Sequence, residues 1–122
     1  MTITIYGIPN CDQIKKTLAW FSEAELAVVF HDYKKIGIAP GVVKGWANAV
    51  GWEPLVNRTG STWRNLPDAV KASVTSTASA IPVLVSNPSL IKRPVVVAGD
   101  SVLVGYDPAA FATLAQKAGA RR

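Results

Sequence analysis

Three observations predict an α/β fold built on a four-stranded mixed sheet. The chain opens with a strand, a helix and a strand, closes with two strands and a helix, and carries a helix-rich stretch between these halves. At 122 residues it has the length of one domain and leaves no room for a second core. Residues 1–122 therefore read as a single domain, with the helical insertion at about residues 39–90.

Residues 2–6 (Thr-Ile-Thr-Ile-Tyr) alternate polar and apolar and stop at Gly7-Ile8-Pro9, the pattern of a strand ended by a turn. From Asp12 the spacing becomes helical. Ile14, Leu18 and Phe21 share one face, and Lys15, Lys16 and Glu23 lie on the other. Residues 27–31 (Ala-Val-Val-Phe-His) form a second β-branched stretch, so the opening is a parallel βαβ unit with a right-handed crossover.

In the middle, Pro40 suits a first helical turn, and Val43, Trp46, Ala47 and Val50 recur at helical spacing before Gly51. Asn57–Arg64 is polar and turn-rich, and Pro67-Asp68 starts a further helical segment carrying Val70 and Val74. Ser73–Ser79 is small and polar. Pro82 leaves AIPVLV open between the first turn of a helix and a place beside a short strand. Near the end, PVVVA and SVLVG flank Gly99-Asp100, the loop of a tight hairpin. Asp107-Pro108 then opens a helix whose apolar face is Phe111, Leu114, Ala115 and Ala118. A parallel βαβ half and an antiparallel ββα half separated by helices make the thioredoxin-like arrangement.

With 49% hydrophobic and 17% charged residues the chain is composed as a folding domain, not a disordered one. One cysteine, Cys11, excludes an intrachain disulfide, and one histidine, His31, leaves too few ligands for a structural metal or iron–sulfur site. The net charge of +5 is spread over short pairs, among them Lys15-Lys16, Lys92-Arg93 and Arg121-Arg122, without the dense stripe of a nucleic-acid binder. It suits solubility and attraction for small anions. No apolar run reaches the length of a membrane span, and MTITIYGIPNC lacks a basic region before an apolar stretch. The expectation is a cytoplasmic monomer without bound cofactor or metal, and with neither nucleic acid nor membrane as partner.

Cys11 falls between the first strand and the first helix, where free N–H groups and the helix dipole favour a thiolate. Lys15, one turn further on, is placed to reinforce that field. The competing reading is a small buried hydrophobe. Three residues after Cys11 stands Ile14, so no local disulfide can close, and a reacted Cys11 needs an external thiol to release it. Two segments offer cations for an anionic ligand. NRTGSTWR has Arg58 and Arg64 among hydroxyls, and LIKRP has Lys92 and Arg93 before Pro94. Each has a plain alternative as a helix cap or a solvated bend. His31, Trp46, Trp52 and Trp63 read as packing residues.

Taken together, YGIPNCDQIKKTLAWF, GWEPLVNRTGSTWRNLP and NPSLIKRPVVV resemble, in order and spacing, the arsenate-reductase-like (ArsC/Spx) family and its small YffB-type branch. The resemblance implies a thioredoxin-like fold with a helical insertion, a nucleophilic Cys11, a cis-proline at Pro94, and active-site cations at Lys15, Arg58 and Arg93. It also places Pro82 within a helix. The chain departs from the family's arsenate reductases in two places. Gly105 stands where they carry an arginine, and Asp12-Gln13-Ile14 replaces their small Gly-Thr-Ser cradle, with Asp12 opposing an anion.

The function these readings imply is a glutathione-dependent thiol reductase acting on an unidentified oxidised substrate, with arsenate disfavoured. Cys11 is its nucleophile, and Lys15, Arg58, Arg93 and Pro94 bind substrate or glutathione. Glutathione or another small thiol serves as co-substrate. The alternative is a non-catalytic glutathione-binding protein, or an Spx-like regulator of the transcription machinery, although that branch often carries a Cys-x-x-Cys pair absent here.

Overall fold

The computed structural model describes residues 2–119, so the Arg121-Arg122 pair lies outside the described residues. In chain order the elements are β1 (Ile3–Gly7), α1 (Asp12–Glu23), β2 (Val28–Asp32), α2 (Tyr33–Ile36), α3 (Pro40–Val50), α4 (Ser61–Arg64), α5 (Asp68–Ser73), α6 (Thr77–Ser86), β3 (Val95–Ala98), β4 (Ser101–Val104) and α7 (Pro108–Gly119). Single 3-10 turns occupy Glu53–Leu55 and Pro88–Leu90. The chain divides into two compact units, Met1–Asp32 joined with Arg93–Arg122, and Tyr33–Lys92.

In the first unit the sheet order is β2-β1-β3-β4. β1 runs parallel to β2, with Ile3 opposite Val28, and antiparallel to β3, with Tyr6 opposite Val95. β3 and β4 close a hairpin at the Ala98–Ser101 pair, and Gly99 takes the positive φ of 57° that this two-residue loop requires. This is the mixed four-stranded sheet expected from the two halves of the sequence. Alternation along the strands sends Ile3 and Ile5 of β1 and Val96 and Ala98 of β3 into one core with Ile14 and Phe21 of α1 and Phe111 and Leu114 of α7.

Aromatic edges lock the two helices together. Phe21 and Phe111 lie 5.2 Å apart between ring centroids, and Trp20 meets Phe111 at 5.6 Å. The α1 face is not the one that hydrophobicity alone selects. Thr17 is fully buried beside Ile14 and Phe21, whereas Leu18 is half-buried. Burying the threonine hydroxyl is tolerable because Oγ1 donates to the Gln13 carbonyl at 2.7 Å, one turn back. At the start of α7 the Asp107 carboxylate accepts the Ala110 N–H at 3.2 Å, the cap that Asp107-Pro108 predicts.

The second unit is helical, and α3 buries Val43, Trp46 and Ala47 as its spacing predicts. The unit runs from Tyr33 to Lys92 and includes the one-turn helix α2, which carries no periodic signal in the sequence. Tyr33 is buried, and its hydroxyl donates to the Ile91 carbonyl at 3.4 Å. Pro82 corrects both expectations drawn from local pattern, since it sits inside α6 at neither a first turn nor a strand. The helix begins five residues earlier because Ser76 and Ser79 form a reciprocal capping box. The serine-rich stretch is thus a start signal, and burial of Ala80 and Leu84 offsets the loss of one backbone hydrogen bond at the proline. Val74, expected within the preceding helix, is instead the buried residue that caps α5.

One glycine lets α1 approach the end of β1 closely. A Cβ on Gly7 would overlap the Cδ1 and Cγ1 atoms of Ile14, which is fully buried. Gly7→Ala should therefore lower unfolding free energy by about 1–3 kcal/mol, the usual cost of overpacking. Gly45, exposed in mid-α3 with open space around it, provides the opposite case. Gly45→Ala should raise stability by about 0.5–1 kcal/mol. Urea denaturation of both variants checks the pair, and a neutral Gly7→Ala would show that Ile14 does not fix the approach.

Candidate functional site

Cys11 occupies the N-cap of α1, with extended backbone angles of φ −138° and ψ 130°. Its carbonyl accepts the Lys15 N–H at 3.0 Å, which starts the helical ladder and leaves the N–H groups of the first turn free. The side chain is half-buried against the core formed by the sheet, α1 and α7. Burial pushes the thiol up and is the largest single influence on it, yet the net effect is a lowered pKa. The N–H groups of Ile14 and Gln13 oppose burial, followed by the charge of Arg93 and its hydrogen bond to the sulfur.

Arg93 reaches the cysteine through strand register. With Tyr6 opposite Val95, the residues that follow β1 and those that precede β3 emerge at the same end of the sheet. Arg93 is half-buried, Pro94 is buried, and the peptide bond between them is cis. The Pro94 carbonyl accepts the Gly105 N–H at 2.8 Å, tying the start of β3 to the end of β4. Gly105 is itself buried at φ 90°, a conformation in which an arginine would be strained.

The other expected cations are not among the groups that lower the thiol. Lys15 is exposed on α1 and is not among the groups that lower the thiol, so the charge that reaches the sulfur is that of Arg93. Its neighbour Lys16 lies 6.0 Å from the Tyr106 ring. Arg58 belongs to the second unit, where Trp52 and Trp63 flank it. The contributions of the Gln13 and Ile14 N–H groups were legible only as a general property of helix starts. Among the described residues no cluster of three or more His, Cys, Asp or Glu side chains could hold a metal ion, and no helix is long and apolar enough to cross a membrane.

A mixed four-stranded sheet with a cysteine at the N-cap of its first helix, beside an arginine, defines a thioredoxin-like protein with one thiol at the start of that helix. The ArsC family model matches residues 6–114, and the chain belongs to the ArsC family. A Haemophilus influenzae protein is 40% identical over 105 residues, covering 86% of this chain and 91% of that protein. A YffB protein of known structure is 42% identical, covers 92% of this chain and 97% of its own, and superposes with a TM-score of 0.88. This places the chain in the YffB-type branch. An arsenate reductase (ArsC) related protein from Brucella melitensis is 40% identical, with 93% of each chain covered and a TM-score of 0.73.

The balance of influences on Cys11 gives a pH test. The rate of Cys11 alkylation should rise with pH to a midpoint below the unperturbed thiol value of about 8.5. Arg93→Ala should move the midpoint upward, and Lys15→Ala should move it less. Because the folded thiol is more acidic than the unfolded one, the stability it contributes is complete above the unfolded value and is lost as pH falls through the folded value. A wild-type midpoint at or above that of a free thiol would mark Cys11 as a packing residue.

Proposed function

We propose that this chain is a glutathione-dependent thiol reductase related to the arsenate reductases, with the Cys11 thiolate as nucleophile. The observation that carries this reading is the cysteine at the start of α1 with Arg93 beside it and its pKa lowered despite burial. Membership of the ArsC family and likeness to an arsenate-reductase-related protein support a thiol-reductase-like role. On a mixed disulfide between a substrate and glutathione, the Cys11 thiolate attacks the glutathione sulfur. A new S–S bond forms, the old one breaks, and the substrate leaves as a thiolate that takes a proton from water. A second glutathione thiolate attacks the glutathione sulfur of the adduct, forming oxidised glutathione and returning Cys11 as thiolate. The net exchange consumes one glutathione thiol: the substrate sulfur leaves reduced, and the glutathione it carried is released as oxidised glutathione.

In this scheme Arg93 has two roles. It favours the thiolate form of Cys11 and the leaving thiolate, and it offers paired donors to a glutathione carboxylate. Pro94 sets the backbone beside the sulfur, and Lys15 adds a solvent-facing cation. Assignment of Arg58 to glutathione rests on the family resemblance. Arsenate is a poor substrate in this reading, since a tetrahedral oxyanion needs convergent donors and the strained position of Gly105 supplies none.

Intact-protein mass spectrometry tests the scheme. Incubation with oxidised glutathione should add one glutathione to the wild type and none to Cys11→Ser, and reduced glutathione should remove it. Arg93→Ala should slow adduct formation by about tenfold, the usual effect of losing one charge-assisted contact. Purified protein supplied with arsenate and glutathione should show no turnover. Rapid arsenate reduction would restore the oxyanion as substrate, and the absence of any adduct would remove the thiol mechanism.

A further inference from the structure

The sheet order ends on β4, which is therefore an edge strand. Its backbone is only half used. The ladder to β3 pairs Ala98 with Ser101 and Val96 with Leu103, and the Gly105 N–H donates to the Pro94 carbonyl at 2.8 Å, so residues 101, 103 and 105 turn their backbone groups inward. Val102 and Val104 then turn their N–H groups and carbonyls to the outer edge, where no strand pairs with them among the described residues.

Beside that edge, between β4 and α7, lies a cavity of about 230 Å³. Leu103, Ala110 and Leu114 give it an apolar lining, and Ser101, Thr113 and Lys117 complete it. Lys117 is exposed and makes no ion pair or hydrogen bond among the described residues. Asp100, the neighbouring acidic residue in the hairpin loop, does not line the cavity, so the charge at its rim is positive. Ser101 and Leu103 share a face with their partners Ala98 and Val96, which belong to the core under α7. A strand added to β4 would set the residue opposite Leu103 on that face, with its side chain directed at the cavity. Two residues along, the residue opposite Ser101 would lie at the end of the cavity that Lys117 lines.

The volume falls below the roughly 300–1,000 Å³ of small-molecule sites and suits a single apolar side chain. The four-residue edge, about 13 Å long, is also short for the roughly 1,200 Å² that a stable contact between two copies buries. We infer that β4 and the β4–α7 cavity bind an extended peptide by strand addition, with one apolar side chain filling the cavity and an acidic side chain two residues away pairing with Lys117. The inference is independent of the chemistry at Cys11.

The probe is acetyl-Thr-Glu-Thr-Leu-Thr-Glu-Thr-amide, in which a glutamate stands two residues to either side of the leucine and so serves both strand directions. Titrated into isotope-labelled protein and followed by amide NMR, it should give saturable shifts at Val102 and Val104 and on the facing side of α7. Leucine to alanine in the probe should weaken binding about tenfold, the loss expected for a buried aliphatic side chain. N-methylation of its three central residues should abolish binding, because a methylated amide has no proton to give to a ladder. On the protein, Lys117→Glu should weaken binding about fivefold. Ala110→Met, which fills the cavity with a good helix former, should weaken it at least as much. Absence of saturable shifts, equal binding of the alanine probe, or binding that survives N-methylation overturns the proposal. A dimer of the free chain, seen by sedimentation and lost in Val102→Pro, would assign the edge to a second copy and overturn the peptide as its occupant.

Discussion

The antiparallel ladder between β1 and β3 is the interaction on which the site depends. Its register sets Tyr6 opposite Val95, so the chain leaving β1 toward Cys11 and the chain arriving at β3 through Arg93 and Pro94 stand at one end of the sheet. Side chains alternate between faces along a strand, so a slip of β1 by one residue would exchange the buried Ile3 and Ile5 for the half-buried Thr4 and Tyr6. Burial of that apolar set thus enforces the register, and the register brings Arg93 to the thiol. Site geometry here is a by-product of core packing.

At Cys11 burial is opposed by effects that together lower the thiol pKa, and their sources differ in sequence range. Burial disfavours the thiolate, and it arises from packing against the sheet and the two helices. The N–H groups of Gln13 and Ile14 favour it and come with any helix that begins at residue 12. Arg93 arrives from far along the chain. Lys15, although nearest in sequence among the cations considered, points to solvent from the exposed face of α1, where water screens its charge. Proximity along a helix is therefore a poorer guide to electrostatic influence than shared burial.

In the second unit, local chemistry overrides simple pattern. Pro82 would end a helix in isolation, but α6 is started by the Ser76–Ser79 box and held by the burial of Ala80 and Leu84, so the proline is carried within it. The turn-rich NRTG stretch is likewise ordered, with Asn57 bonded to Leu90 and Val56 bridged to Ile91. Its polarity marks a surface loop, and its anchoring comes from a segment more than thirty residues away.

What the sequence determined by itself was every feature with a short range. Alternation in TITIY and PVVVA, helical spacing from Asp12, the Gly99-Asp100 hairpin and the Asp107 cap all act over a few residues, and all were legible. The family motifs likewise carried the identity of Cys11, Arg93 and Pro94 as residues to watch. Tertiary structure decided the rest. Whether Thr17 or Leu18 lies in the core depends on how α1 is rolled against the sheet, and a satisfied hydroxyl can be buried where hydropathy favours leucine. That Arg93 and not Lys15 lowers the thiol, and that Arg58 rests on Trp52 and Trp63, depends on contacts between residues whose separation along the chain carries no periodic signal. Such contacts follow from burial of the whole apolar surface at once, a constraint that no local window of sequence contains.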